Sequence, residues 1–399
     1  MKLDFISYGI NFPAWVWGLI GFIIVSTATI IVWTLRRYRA VAKAATVAPE
    51  RGEGPWPSVS VVVYACHDAG VLIDLVDRLM TQEYEGCYEV VVVNDGNDEA
   101  TRDVLSDLSL KYRRQPFFHS FVPAGTVNLS AKKLALTLGI KAAHNDVIVT
   151  TAGNCMPTSE RWLASLMSGF GADTDVMIGY SHIDSEADRT RGAKYRAFDT
   201  VVNAVQWLSY AIHRKPYRGD GNNLAYRRAT FFAHKGYSQS MHLHYGDDDV
   251  FVSEIADGSN TRVSIVPDSQ VVVDYSDYAR AHRLNKLRYD FNYRYLHTWA
   301  SASSSFVTII EWLMIAAMAA GVAATWLNVV MAGLVIAVTA AIWTVRIVAY
   351  RKAARALQAR KLGALLPLFF LARPIVNLRY RWLNRRYKVT NYTWQQPKR

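Results

Sequence analysis

The sequence predicts an α/β domain built on a mixed sheet and flanked by membrane-spanning helices. Three observations lead there. Tyr88–Asp98 (YEVVVVNDGND) is an apolar run that ends abruptly in short polar residues, the pattern of a buried strand in a parallel sheet. A second apolar run, Val59–Tyr64 (VSVVVY), precedes it, and the spacing from Val71 to Gln82 between them is helical. That is a βαβ unit, and in open α/β sheets ligands bind at the carboxyl ends of such strands, where Asp95 stands. Apolar stretches long enough to cross a bilayer lie on both sides of the unit.

Taken in order, residues 1–12 form a short N-terminal segment and 13–35 a first span, with Trp15, Trp17 and Trp33 near its ends as interfacial aromatic belts require. Arg36, Arg37, Arg39 and Lys43 follow it, whereas only Lys2 precedes it. The basic side is therefore expected in the cytoplasm and the N-terminus outside. A cleaved signal peptide is disfavoured, because the charged flank is on the wrong side and no cleavage pattern follows. A basic linker, 36–56, leads to the α/β domain, 57–295. After its first unit come a helix near Ser130–Ala143, a strand at Val147–Thr151, a helix near Glu160–Phe170, a strand at Asp175–Tyr180 and a long helix over Tyr195–His213. A Gly/Asn turn at Gly219–Asn223, an acidic turn at Gly246–Asp249 opening a helix, and strands near Arg262–Pro267 and Gln270–Tyr275 complete it. This alternation is α/β with a mixed sheet.

Two further spans, 306–326 and 329–350, meet at Leu327-Asn328 without a Lys or Arg, and Arg346, Arg351, Lys352 and Arg355 follow. A hairpin that goes out and returns satisfies both facts. Glu311 lies inside the first of these spans, near its interface, where an acid is either functional or simply pairs helices or is exposed at the interface. In the basic tail, 351–399, the apolar stretch 362–376 is broken by Pro367, Arg373 and Pro374, which favours an interfacial or re-entrant segment over a full span. Arg379, Arg381, Arg385, Arg386 and Lys388 would then lie on the cytoplasmic leaflet.

The chain has 45 Lys/Arg and 33 Asp/Glu, but from Ala279 onward there are 19 basic residues against two acids, Asp290 and Glu311. The positive charge thus belongs to the C-terminal third, where the apolar segments lie. That points to anionic membrane lipids and not to nucleic acid, since no groove-reading motif accompanies it. Cys66, Cys87 and Cys155 lack metal-ligand spacing and read as small core residues in a reducing compartment.

Five segments then stand in a telling order: VSVVVYACHDA, YEVVVVNDGNDEAT, AKKLALTLGIKAAHNDVIVTTAGNCMP, PYRGDGNNLAYRR and HYGDDDVFVSEI. Together they resemble the family 2 glycosyltransferases, inverting enzymes of GT-A fold that use nucleotide-sugar donors. The resemblance covers about Pro57 to Tyr295 and extends to the membrane layout of the anchored members. It implies donor contacts from Ala65, Asp68, Asp95 (to a uracil imide), Lys132 or Lys133 (to phosphate), Asn154 and Arg288. It implies Asp248, or else Asp247, as the catalytic base, because clustered carboxylates raise one another's pKa and hold one poised. Gly221, Asn222, Asn223, Asp249, Asn285 and Tyr289 would shape the acceptor side, and Asn285-Lys286-Leu287-Arg288-Tyr289 occupies the place of the family's Gln-x-x-Arg-Trp motif. A solvated amphipathic helix with Arg280, Arg283 and Lys286 on lipid headgroups is the competing reading of that segment.

The pattern breaks at the metal site. The family's DxD reads Ala152-Gly153-Asn154 here, and Mg²⁺ or Mn²⁺ wants anionic oxygen ligands. Cys66 also stands where an aromatic often stacks on the base, with Tyr64 as a possible substitute. Three readings stay open: an enzyme with reduced or no metal dependence, whose Arg and Lys residues meet the diphosphate; a metal held by Asp247–Asp249 and the donor phosphates; or an inactive domain serving as a sugar-nucleotide-binding scaffold or regulator. For the enzyme, the resemblance implies a nucleotide-sugar donor, no organic cofactor, a lipid-linked or membrane-proximal acceptor for cell-envelope polysaccharide, and polysaccharide-assembly partners. The catalytic domain would lie on the cytoplasmic side of the cell (inner) membrane. Three spans are too few to build a transporter's or a processive synthase's pathway in one chain.

Overall fold

The computed structural model describes residues 12–50, 54–95, 98–123, 129–243, 245–296, 299–325 and 328–386. The N-terminal segment 1–11, the Gly96-Asn97 turn, the Leu327 side of the hairpin and Lys388 of the tail lie outside the described residues.

Helix α1 (Ala14–Ala44) is long and apolar enough to cross a membrane, but it does not stop where its span stops. Tyr38, Val41 and Ala45 are buried in the same core cluster as Val62, Ile148 and Phe198 of the soluble domain. The expected basic linker at 36–56 is thus helical for its first half. Arg37 is buried, donates from Nη2 to the Tyr210 hydroxyl at 2.8 Å, and lies 4.2 Å from the Trp33 ring centroid.

The first half of the domain runs β1 (Val59–Ala65), α2 (Ala69–Met80), β2 (Tyr88–Asn94), α3 (Glu99–Lys111), β3 (Phe117–Phe121), α4 (Ala131–Ala142) and β4 (Val147–Ala152). Because successive side chains of a strand point to opposite faces, Val59, Val61 and Val63 enter one core and Val62 the other. Both faces are covered, so these strands read as unbroken apolar runs. β1 pairs in parallel with β2 from Val59↔Tyr88 to Ala65↔Asn94, and with β4 from Val59↔Val147 to Tyr64↔Ala152. This register brings the ends of the three strands to one edge.

The second half runs β5 (Cys155–Pro157), α5 (Trp162–Met167), β6 (Val176–Ile178), β7 (Ser181–Ile183), α6 (Ala193–Ile212), β8 (Leu224–Arg227), α7 (Arg228–Ala233), α8 (Asp249–Ile255), β9 (Thr261–Val263), β10 (Val271–Val273) and α9 (Tyr278–Asn292). The main sheet has the order β3-β2-β1-β4-β8-β6-β9, with β8 antiparallel to both its neighbours, and a smaller sheet has the order β5-β10-β7. The strand at Leu224–Arg227 lay hidden beside a Gly/Asn turn.

Helices α10 (Trp299–Ala324) and α11 (Val329–Ala356) also contain candidate spans. Arg346, expected among the basic residues beyond the hairpin, instead pairs through both terminal nitrogens with Glu311 at 2.5 and 2.8 Å. Helix pairing is therefore what Glu311 does. Like α1, α11 continues into the soluble core, through Tyr350, Ala353 and Ala354. The broken apolar stretch in the tail is α12 (Leu366–Arg386), longer than expected and continuous through Pro374. Its Phe369 and Phe370 pack on Phe198 of α6, with ring centroids 5.6 and 4.8 Å apart.

Candidate active site

At the shared strand edge, Asp95 follows β2 and its amide donates to the Ala65 carbonyl at 3.0 Å. One carboxylate oxygen accepts from the Tyr64 hydroxyl and the Cys66 thiol, each at 3.2 Å. Burial, then the Asp95 charge, pushes the Cys66 thiol up to about 12, so it stays a neutral donor. Tyr64 is therefore tied to Asp95 through its hydroxyl. Ala65 is fully buried, and its carbonyl takes the Asp95 N–H.

The turn after β4 is built differently from a metal site. Gly153 donates its N–H to the Tyr64 carbonyl at 2.8 Å, and the Asp68 carboxylate lies where its side chain would be. A Cβ on Gly153 would sit 2.2 Å from Asp68 Oδ2, an oxygen already accepting from the Cys66 N–H at 2.9 Å. Gly153→Ala should therefore cost about 1–3 kcal/mol in a thermal or denaturant melt, and less in an Asp68→Ala background. Asn154 donates its amide to the Asp274 carbonyl at 2.9 Å, joining the start of β5 to the end of the strand opposite. Among the described residues no three His, Cys, Asp or Glu side chains are grouped to hold a metal. A Mn²⁺ or Mg²⁺ site is not what these residues fit.

The acidic triplet is not a cluster of free carboxylates. Each member has its own cation: Lys132 Nζ lies 2.6 Å from Asp247, Arg288 pairs with Asp248, and Arg218 Nε lies 2.7 Å from Asp249. The expectation that the three raise one another's pKa fails for Asp247. Burial would push it up, but Lys132 and Arg288 outweigh burial and hold it below the usual carboxylate range. A divalent ion on this triplet would have to displace the Lys132, Arg288 and Arg218 pairs. Asp248 caps α8, accepting from the Asp249 N–H at 2.7 Å and from the Gly221 N–H at 3.2 Å. Gly221 has no side chain to hold its backbone off: a Cβ there would come within 3.1 Å of Asp247 and Asp248.

Asp248 lines an open cleft of about 750 Å³, together with Asn222, Asn285, Arg288, Tyr289, Asp220 and Trp207. Two residues assigned to this side do not face it. Asn223 is fully buried, donating to the Tyr180 and Ser269 carbonyls at 3.0 and 2.7 Å and accepting from Trp162 at 3.2 Å. It joins the two sheets. Asp249 turns away into Arg218 and Asn292.

The glycosyl transferase family 2 model matches residues 58–238. Over residues 58–238 the chain is therefore similar to the family 2 glycosyltransferases. A mannosyltransferase from Pyrobaculum calidifontis, PcManGT, solved in complex with GDP-Man and Mn²⁺, is similar in structure at 15% identity and a TM-score of 0.50, covering 92% of this chain and 94% of its own. TarS of S. aureus aligns at 18% identity and a TM-score of 0.38, over 59% of this chain and 40% of its own. GalNAc-T7, solved with UDP, GalNAc and Mn²⁺, aligns at 14% and 0.40, over 56% and 45%. Similarity at these identities speaks to the fold alone, which is GT-A. No curated protein matches the sequence.

Around the cleft one expected residue plays a different part, and others were suggested by no motif. Lys133 is fully buried, donating to the carbonyls of Ser240 and Tyr245 at 2.6 and 2.9 Å and reaching Leu243 at 3.4 Å. Burial pushes it down to about 8, against the pull of Asp247 and Glu254. It pins the turn before the triplet and does not face phosphate; of the two lysines, only Lys132 remains a candidate for that. Lys133→Met would strand three carbonyls, at a cost of about 3 kcal/mol or more, readable as a lowered unfolding midpoint.

A second buried centre, Asp199 on α6, receives Lys286 at 2.8 Å, His282 at 3.1 Å and Arg373 at 2.8 Å. Lys286 therefore faces the protein interior, whereas Arg280 and Arg283 are exposed, so the headgroup reading of α9 survives for those two alone. A lone acid on an apolar helix was the available signal for Asp199. Arg218, stacked 3.6 Å over Tyr289, sat unnoticed beside the Gly219 turn.

Proposed function

We propose that this protein is an inverting glycosyltransferase that moves a sugar from a nucleotide-sugar donor, a UDP-sugar in the first instance, to a membrane-proximal acceptor of the cell envelope. The observation that carries the reading is Asp248. Of the three buried acids, it alone lines the open cleft, held in place by two backbone N–H groups. An acceptor hydroxyl entering there gives its proton to Asp248 as its oxygen bonds to the anomeric carbon. The bond from that carbon to the diphosphate breaks on the opposite face, and the nucleoside diphosphate leaves with the electron pair. Asp95 would receive the base, using the oxygen not engaged by Tyr64 and Cys66. Trp207 and Tyr289 with Asn222 and Asn285 offer the apolar faces and amide groups that a sugar-like acceptor would use.

The membrane side supports the same reading. Helices α1 and α11 carry candidate spans directly into the catalytic core, and the basic residues of α12 suit anionic lipids on the cytoplasmic leaflet. The missing DxD carboxylates favour a second reading, a sugar-nucleotide-binding scaffold. Nucleotide release by the detergent-purified protein, across a panel of UDP- and GDP-sugars with membrane lipid extract as acceptor, separates the two. Release with at least one donor is expected; binding without release across the panel would leave the scaffold.

A further inference from the structure

Two ion pairs stand side by side on the acidic triplet, Lys132 with Asp247 and Arg288 with Asp248, the second of them lining the open cleft. They come from opposite sides, Lys132 from the first turn of α4 and Arg288 from α9. Both cations remain partly exposed, with side-chain accessibilities of 18% and 21%, while their carboxylates are almost fully buried, at 7% and 5%. The buried partners are anchored and the cations are the parts that can swing.

Resting on the glycosyltransferase reading, we infer that the donor diphosphate is bound here without a divalent ion, by Lys132 and Arg288, which exchange Asp247 and Asp248 for the phosphates. A diphosphate offers two adjacent anionic groups, and the two cations are held on adjacent residues. Phosphate is a strong partner for both types of side chain, Arg by its planar fork and Lys as a point charge. Asp248 is not stranded when Arg288 leaves, because the N–H groups of Gly221 and Asp249 still solvate it. The exchange has a consequence for catalysis. Once Arg288 turns to the diphosphate, Asp248 loses its nearest counter-charge and becomes the stronger base, so the base is released by the donor itself.

The test is equilibrium binding of UDP, GDP and UMP to the detergent-solubilised full chain, in EDTA and in Mn²⁺. Diphosphate affinity should agree within about twofold between the two conditions. Lys132→Met should weaken the diphosphate by about tenfold or more, the scale of one charge-assisted contact, and leave UMP nearly unchanged, which also reports an intact base pocket. Asp247→Asn should tighten diphosphate binding, because Lys132 then has no carboxylate to leave. Loss of about tenfold or more on chelation would overturn the inference alone, as would indifference to Lys132→Met or weakening by Asp247→Asn. No binding of either diphosphate in either condition would overturn the glycosyltransferase reading as well.

Discussion

Asp248→Asn should abolish sugar transfer, lowering turnover by about 10²–10⁴-fold, the range general-base removal typically spans, while the domain stays folded. Asn keeps the shape, and its one carbonyl oxygen can still accept from the Asp249 N–H, so the cap on α8 survives while the Gly221 N–H loses its acceptor. What it cannot do is take the acceptor's proton. Nucleotide binding, measured in parallel, should persist. An equal loss of both would mean that Asp248 holds the site together and does no chemistry. Asp249→Asn is the informative contrast: that carboxylate is buried against Arg218 and faces away from the cleft, so its removal should appear first in stability.

Asp199→Ala should destabilise the soluble domain by about 3–5 kcal/mol, the usual cost of breaking a buried charge network from one side. Lys286, His282 and Arg373 would lose their common partner, and with it the join between α6, α9 and α12. Burial alone would raise the Asp199 carboxyl, but Lys286, Arg373 and His282 hold it well below its ordinary value of 3.8. Its folded value is therefore depressed relative to the unfolded one. The stability it contributes is fully present above about pH 4 and is lost as pH falls through the folded value. The wild type and the variant should accordingly differ most at neutral pH and converge on acidification. Chemical unfolding at neutral and at strongly acidic pH would check this; a gap that stays constant would contradict it.

Much of the fold was legible because it is written locally. The valine runs of β1 and β2 and the spacing of α2 and α4 are each consistent with one element type, and the parallel register follows from burial on both faces. What was not legible depends on partners distant in sequence. The triplet Asp247-Asp248-Asp249 reads as mutually repelling until Lys132, Arg288 and Arg218 are brought to it from three other segments. Asn223 reads as a turn residue, but antiparallel pairing of β8 with β4 and β6 draws it inside, where Trp162 and two carbonyls claim its amide. The 36–56 linker was misread because charge counts do not reveal that Tyr38 and Val41 continue an apolar face into the soluble core. Arg346 looked like a flanking charge for want of any view of Glu311 across the hairpin.

The most direct measurement is transfer of a radiolabelled sugar from UDP- or GDP-linked donors into extractable lipid or glycan. It would use membranes containing the wild-type chain and, beside them, membranes containing Asp248→Asn at equal abundance. Label entering product with the wild type and absent with the variant is the expected result. Equal labelling in both, or none in either while the donor nucleotide still binds, would contradict a transferase working through Asp248.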